Sequence, residues 1–287
     1  MKPAARLQAA IELVDAVIET TQSQGAAADI LIARYFKDRR FAGSKDRRAI
    51  RDLVYATIRR YRSAPANGRA ALLGLAEERP ELGALFDGSL YGPAEIAGDE
   101  QAEAPAMLPE WLRSQFSESH SDADIDSLSG RAPLDIRVNL ARLSREEALV
   151  QLGEEARPGA LSTSAIRLPN GFAVEQHALW QGGLIDVQDE GSQVIADVCG
   201  VQMGSTILDL CAGAGGKTLA LHDRSRGSAR LIASDTDRRR LSRLDPRSRR
   251  QKAGNIETRL LDGGKEREAL ADLRNAVDCV LIDAPCS

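Results

Sequence analysis

The amino-acid sequence predicts a multidomain α/β protein whose C-terminal part contains a doubly wound parallel sheet. Two observations lead to this prediction. Apolar residues recur at helical spacing as far as residue 125, and short apolar strands alternate with helices from residue 206 onwards. At 287 residues the chain is longer than an average domain, so two or three compact units are expected. Its composition, 43% hydrophobic and 28% charged, is typical of a globular protein and argues against disorder.

Residues 1–125 are predicted to form an all-helical domain. A first helix in RLQAAIELVDAVIETT places Leu7 and Val14 on one face. A second helix is predicted in ADILIARYFKDR, and a third, capped by Ser44, in KDRRAIRDLVYATIRRYR. This third helix is apolar on one face and rich in arginine on the other. The Pro/Gly/acidic stretch at 91–106 predicts a linker.

Residues 126–190 are predicted to form a small α+β subdomain, because the pattern changes at Pro133. Strands are indicated by PLDIRVNL, AIRLPN and LIDVQD, and helices by SREEALVQLGEE and AVEQHALWQGG. This succession fits a compact βαββαβ-like unit.

Residues 191–287 are predicted to form an incomplete doubly wound sheet. Its strands lie in TILDLCA, RLIASDT, ETRLLD and CVLIDA, and helical segments separate them. Pro246 is expected to break the helix in DRRRLSRLDPRSRRQKAG. The expected strand order is 3-2-1-4, which leaves the fourth strand at an edge.

A glycine turn joins the first of these strands to its helix in ILDLCAGAGGKT. Gly213, Gly215 and Gly216 let the backbone pass close to a ligand, and the start of the helix can hold negative charge. A dinucleotide-binding fingerprint would need glycine where Thr218 stands, and a P-loop needs four residues between its glycines. The turn therefore predicts a nucleotide-like cofactor of another kind.

Three aspartates, Asp235, Asp262 and Asp283, each follow a predicted strand of this sheet. Because the C-terminal ends of parallel strands meet at one edge, we expect the three carboxylates near the glycine turn. Asp235 is placed to accept both hydroxyls of a ribose. A ligand with a ribose, an adenine amine and a cationic sulfonium suits this set, so S-adenosylmethionine is the predicted cofactor. A single aspartate at a strand end would more simply cap the next helix.

Charge is unevenly distributed, although the net charge is only −4. Residues 1–62 and 224–252 are basic, whereas residues 69–126 are acidic. Basic segments are compatible with a polyanion such as RNA, but such runs are also typical of solvated helix faces.

The cysteines and histidines predict no metal site. Cys199, Cys211, Cys279 and Cys286 show no C-x-x-C spacing, and the three histidines are scattered. Four cysteines in mostly apolar surroundings indicate reduced thiols. No apolar run approaches the roughly 20 residues that span a bilayer, and acidic residues interrupt any signal-peptide core. We therefore expect a cytoplasmic protein without metal or membrane contact.

Together these motifs resemble a known enzyme family. LDLCAGAGGKT, ASDTDRRRL, LLD and VLIDAPCS are similar to the Sun-type RNA cytosine-5 methyltransferases, and most of all to the bacterial 16S ribosomal RNA enzymes with a NusB-like helical domain. FAGSKDRRAIRDLVYATIRR resembles that NusB-like domain, while PLDIRVN and VQDEGSQ resemble the family's RNA-recognition-like (RRM-like) unit. The resemblance implies a NusB-like domain at 1–125, an RRM-like subdomain at 126–190 and a partial Rossmann-like methyltransferase domain at 191–287.

The resemblance also implies a role for each residue of the cofactor site. Asp235 would bind the ribose, Asp262 would lie by the adenine, and Asp283 would lie near the methyl group and the target base. The methionine part of the cofactor would be enclosed by Cys211, Ala212, Gly213, Ala214, Gly215, Gly216 and Lys217.

Two cysteines share the chemistry in this family. One, in a Thr-Cys-Ser motif downstream of the fourth strand, adds to C6 of cytosine and thereby makes C5 nucleophilic. The other, in a Pro-Cys motif, helps to release the product, and Cys286 matches it. The sequence contains no Thr-Cys-Ser, so the nucleophilic cysteine is absent and the chain is expected to be truncated at its C-terminus.

Three functions stay open on the sequence alone. The first is S-adenosylmethionine-dependent cytosine-C5 methylation of RNA, with ribosomal RNA as partner, by a monomer of this chain or of a longer one. The second is a non-catalytic RNA-binding protein that retains the cofactor fold, which the missing nucleophile favours. The third is methylation of proteins or small molecules. Asp-Ala-Pro-Cys at 283–286 argues against it, because amino-methylating relatives carry a polar-Pro-Pro-aromatic turn there.

Overall fold

The computed structural model separates the chain into two compact units, 1–131 and 132–287. No helix among the described residues is both long enough and apolar enough to cross a membrane. The three predicted domains and their boundaries stay a prediction. The structure describes residues 1–23, 25–61, 63–105, 108–128 and 130–284.

The first unit is helical in its described part. Helix α1 packs against α2, α3 and α4, and its apolar face supplies much of the core, as the spacing of Leu7 and Val14 predicts. Further fully buried side chains are those of Leu13, Ile50 and Leu72. The helices are α1 Pro3–Gln22, α2 Ala28–Asp38, α3 Ser44–Arg60, α4 Gly68–Glu78, α5 Pro80–Gly83, α6 Glu110–Arg113 and α7 Asp122–Ser127.

Helix α3 begins differently from the prediction. Ser44 is its first residue, and Gly43 is the N-cap. The Asp46 carboxylate accepts a hydrogen bond from the backbone N–H of Gly43 at 3.3 Å and one from Arg6 Nε at 2.8 Å. Asp46, at the third position of the helix, thus satisfies the backbone donor of the N-cap residue from inside the first turn.

The second unit begins with a four-stranded antiparallel sheet of order β2-β3-β1-β4. Ile136 and Val138 of β1 point to one face, which packs against two short helices, while Asp135 and Arg137 occupy the other face. Ser144 caps the first helix, and its side chain accepts a hydrogen bond from the backbone N–H of Glu147. The elements are β1 Leu134–Val138, α8 Arg145–Leu152, β2 Arg157–Pro158, β3 Ala165–Leu168, a 3₁₀ turn Val174–Gln176, α9 Ala178–Gln181 and β4 Ile185–Val187.

A parallel sheet with helices on both faces follows, which confirms the α/β prediction. Its order β7-β6-β5-β8 is the predicted 3-2-1-4. Ile207 and Leu231 pack towards one face, while Leu208 and Ile232 pack towards the other, against Leu273. The elements are α10 Glu190–Val198, β5 Thr206–Asp209, α11 Gly216–Arg224, β6 Arg230–Asp235, α12 Arg238–Leu241, α13 Leu244–Gln251, β7 Ile256–Leu260, α14 Glu266–Ala269, a 3₁₀ turn Ala271–Leu273 and β8 Cys279–Leu281.

The predicted helix break occurs before Pro246. Helix α12 ends at Leu241, and α13 starts at Leu244 with Pro246 in its first turn. Proline is tolerated there because the first backbone N–H groups of a helix have no intrahelical acceptor.

Candidate cofactor site

The glycine turn connects the end of β5 to the start of α11. Gly213 and Gly215 adopt left-handed conformations, with φ of 56° and 79°. A side chain at Gly213 would collide with the guanidinium of Arg240, and one at Gly215 would collide with Leu244. Both positions therefore favour glycine for its conformational freedom and for the close approach of α12 and α13.

Asp235, at the end of β6, is held against this turn. Its Oδ2 accepts a hydrogen bond from the backbone N–H of Gly213 and its Oδ1 one from that of Asp237, each at 2.7 Å. The residue is 5% exposed, so the backbone of two loops fixes its orientation. Each carboxylate oxygen has a further lone pair, and Asp235 can therefore still accept hydrogen bonds from a ligand.

A cavity of about 890 Å³ lies at the C-terminal ends of the parallel strands. Cys211, Asp235 and Asp237 line one part of it, and Leu261 and Leu270 line another. Its volume is within the range of small-molecule sites. A lining that contains both carboxylates and leucines suits a nucleoside, whose hydroxyls are donors and whose base is flat and largely apolar.

Lys217 and Asp283 bring the first turn of α11 next to the end of β8. Lys217 Nζ lies 2.5 Å from Asp283 Oδ2, and the lysine side chain is largely buried while the aspartate is 48% exposed. The structure therefore places Asp283 at the glycine turn, as the sequence predicts, because β8 pairs directly with β5.

Asp209 is a residue of this region that the sequence analysis did not single out. It is almost fully buried, and Thr218 Oγ1 donates to its Oδ2 at 2.6 Å. Burial raises the pKa of Asp209 to about 6, against the effects of the Thr218 hydrogen bond and of Lys217. The available signal was a carboxylate inside the apolar strand, immediately before the glycine turn.

The other predicted site residues are less closely associated. Leu261 lines the cavity, but the side chain of Asp262 next to it is exposed to solvent. Cys211 lines the cavity, and burial raises the pKa of its thiol. Cys286 lies outside the described residues. Within the described part of the chain, no group of three His, Cys, Asp or Glu side chains is arranged to hold a metal ion.

Comparison with known sequences identifies one matching family model. Residues 198–287 match the family described as 16S rRNA methyltransferase RsmB/F. The ribosomal RNA small subunit methyltransferases B of Yersinia pseudotuberculosis and Yersinia pestis are 30% identical over 221 residues, which are 73% of this chain and 51% of the relative. The chain thus spans about half the length of these relatives.

Solved structures with a similar fold include PH0851 and two proteins from Pyrococcus horikoshii. PH0851 superposes over 100% of this chain and 75% of its own, with a TM-score of 0.65 and 18% identity. A methyltransferase homologue from P. horikoshii covers 61% of each chain, with a TM-score of 0.53 and 21% identity. P. horikoshii NSun6, solved with SFG, covers 62% of this chain and 71% of its own, with a TM-score of 0.52 and 17% identity. At these identities the similarity is one of fold.

Proposed function

Because the chain belongs to the RsmB/F methyltransferase family, we propose that it binds S-adenosylmethionine and serves in cytosine-C5 methylation of 16S ribosomal RNA. One observation carries this proposal: Cys211, at the start of the glycine turn, and Asp235, which binds the backbone of Gly213, line a nucleoside-sized cavity at the C-terminal ends of a parallel sheet. The match covers only 51% of the relatives' length, so the proposal concerns the share of the activity that this chain performs.

S-adenosylmethionine is the cofactor that the comparisons support, and the cavity fits it. Asp235 would accept hydrogen bonds from the ribose hydroxyls, and Leu261 and Leu270 would flank the adenine. Asp262 follows Leu261 directly, and we propose that it lies by the adenine. Bound S-adenosylmethionine supplies a methyl group on a cationic sulfonium, and the carboxylates of the site favour a cation there.

The turn residues would enclose the methionine part of the cofactor. These are Cys211, Ala212, Gly213, Ala214, Gly215, Gly216 and Lys217. Asp283, which is half exposed beside Lys217, would remain accessible to a target base. We assign product release to Cys286 by family resemblance alone.

A second candidate function rests on the described cysteines. Attack on C6 of cytosine requires a thiolate. Burial raises the pKa of Cys199 to about 11 and also raises that of Cys211, so these two thiols do not suit a nucleophile at neutral pH. The third described cysteine, Cys279, lies in strand β8 and does not line the cavity. For this chain by itself, RNA binding with a retained cofactor fold is therefore the alternative.

We propose that RNA contact involves a NusB-like domain at 1–125 and an RRM-like subdomain at 126–190. The all-helical first unit and the sheet order β2-β3-β1-β4 support these assignments. Arg48 and Arg51 on α3 are exposed and, among the described residues, have no carboxylate partner. We expect a cytoplasmic monomer.

The test combines calorimetric binding of S-adenosylhomocysteine with a transfer assay. The assay uses tritiated S-adenosylmethionine and small-subunit ribosomal RNA. Asp235→Asn should weaken binding about tenfold or more, because hydrogen bonds to a charged acceptor are each worth about 1.5–3 kcal/mol. Asp245→Asn, on the exposed side of α13, is the matched control and should bind like the wild type.

The outcomes separate the enzyme from the non-catalytic alternative. Incorporation into cytosine C5 supports the enzyme, and binding of cofactor and RNA without incorporation supports the alternative. A wild-type chain that binds no S-adenosylhomocysteine contradicts both.

A further inference from the structure

The helices after β6 form the wall behind the glycine turn. Three of their side chains reach the turn: Arg240 lies against Gly213, Leu244 lies against Gly215, and Arg247 Nη1 donates to the backbone carbonyl of Ala214 at 2.8 Å. Arg240 and Leu244 pack against the turn, and the described residues show no hydrogen bond from either side chain to it. The contact of Arg247 is a directed hydrogen bond from a charged group to the backbone of the turn.

The same guanidinium is anchored on its other side. Arg247 Nη2 donates to Asp186 Oδ2 at 2.6 Å, and Asp186 belongs to strand β4 of the antiparallel sheet. Asp186 is 2% exposed and also accepts hydrogen bonds from Arg250 Nη2 at 2.8 Å and from Gln251 Nε2 at 2.7 Å. Asp186 is therefore a buried acceptor of three hydrogen bonds. Of its three partners, Arg247 is the one that also donates a hydrogen bond to the turn.

From this geometry we propose that Arg247 is a positioning residue of the cofactor site. It ties the glycine turn to Asp186 and so holds the backbone of the turn in its ligand-binding shape. A guanidinium is planar and presents its donors in a fixed fork, so its two acceptors are held at a set separation. The turn needs such a support because Gly213 and Gly215, with left-handed φ, have more accessible backbone conformations than other residues.

The inference rests on the proposed function only in that the turn binds S-adenosylmethionine. If a flexible turn already has its bound conformation, no conformational entropy is lost in ordering it when the ligand binds. The affinity is therefore higher. Loss of Arg247 should therefore weaken cofactor binding, although no atom of Arg247 has to touch the cofactor.

The test compares four variants at three arginines of α13 in the full chain. Arg247→Gln removes both bonds. Arg250→Gln also removes a partner of Asp186, but Arg250 otherwise donates to the carbonyls of Trp180 and Ile185 and does not contact the turn. Arg249→Gln removes only an exposed pair with Asp245 and is the surface control.

Two measurements are made on each variant: the dissociation constant for S-adenosylhomocysteine, and hydrogen–deuterium exchange of peptides covering 211–217. Arg247→Gln should raise the dissociation constant about tenfold and speed exchange in the turn, in line with the loss of one charge-assisted hydrogen bond. Arg250→Gln should lower the melting temperature but leave both readouts within about twofold of wild type, which is under half a kcal/mol. Arg247→Lys keeps the charge but cannot hold both acceptors, so it should not restore the turn.

Equal effects of Arg247→Gln and Arg250→Gln on the turn would overturn the proposal, since Arg247 would then act only in packing the sheets together. Unchanged exchange in Arg247→Gln would overturn it as well. If the wild type binds no S-adenosylhomocysteine, the proposed function fails, but the exchange measurement still decides whether Arg247 orders the turn.

Discussion

The packing within residues 1–131 differs in kind from the packing within residues 132–287. In the helical unit, α1, α3 and α4 meet through apolar side chains such as Leu7, Ile50 and Leu72. Where the antiparallel sheet meets the helices of the parallel sheet, the contacts are between buried charges, above all Arg137 with Asp223. Apolar burial is non-directional, whereas a buried charge is tolerated only with its partners in place. The helical unit should therefore respond gradually to substitution, and the junction of the sheets abruptly.

The junction satisfies its charges almost completely. Arg137 pairs with Asp223, and its Nε donates to Gln188 at 2.8 Å and its Nη2 to Gln251 at 3.2 Å. Asn139 donates to Asp223 at 2.8 Å. Even so, burial lowers the pKa of Arg137 to about 10, which shows how unfavourable a charge would be here without its partners.

The largest effect is expected from breaking this pair. Arg137→Met should lower the free energy of unfolding by about 3–5 kcal/mol, because Asp223 would be left buried without its cation. The double variant Arg137→Met/Asp223→Leu should lose clearly less. Urea unfolding followed by Trp180 fluorescence, with Trp111 replaced by Phe, measures both, since the chain has two tryptophans. If the double variant is as unstable as the single one, the charge has no special role at this junction.

A smaller and graded effect is expected in the helical unit. Leu72→Ala should lower the free energy of unfolding by about 3 kcal/mol, since it leaves a cavity among buried side chains. Leu72→Met, which conserves volume, should lose no more than about 1.5 kcal/mol. Circular dichroism during urea unfolding and hydrogen exchange in α1 and α4 give the measurement. If Leu72→Ala and Leu72→Met lose equal stability, the response of this core to substitution is not graded by side-chain volume and resembles that of the charged junction.

The smallest effect concerns Asp209, a buried carboxylate whose hydrogen-bond donor, Thr218, is neutral. Its pKa of about 6 in the folded protein lies above the value of 3.8 for an unburied aspartate. The folded state therefore binds the proton more tightly than the unfolded chain does. The contribution of Asp209 to stability is full below about pH 3.8 and should fall by about 2 kcal/mol as the pH rises from about 4.5 to 6.5. Asp209→Asn should abolish this part of the pH dependence, which urea unfolding at a series of pH values measures. If the free energy of unfolding falls with pH equally in the variant and the wild type, Asp209 is not the responsible group.

Much of this architecture follows from local pattern. The spacing of Leu7 and Val14 predicts α1, and strands alternating with helices predict the order β7-β6-β5-β8. That order alone brings Asp235 and Asp283 to the glycine turn. These predictions succeed because periodic burial is encoded in neighbouring residues.

The partners of the charged residues could not be predicted in this way. A run of arginines has the same local pattern whether each side chain is solvated or buried, and Arg247 and Arg250 owe their burial to Asp186, far away in sequence. The alternation of Asp135 and Arg137 with Ile136 and Val138 by itself indicates a strand with one solvent-facing side. The structure instead buries both faces, and the second face meets polar groups.

That second face has a consequence for RNA. Four-stranded RNA-recognition sheets stack bases on the open side, away from their helices. Here that side of β1 lies against α10: Gln193 donates to the Ile136 carbonyl at 3.1 Å, and the Glu190 backbone N–H donates to Asp135 at 3.4 Å. A nucleobase therefore has no stacking platform on this face of β1, and RNA bound to the proposed RRM-like subdomain would have to contact other surfaces of it.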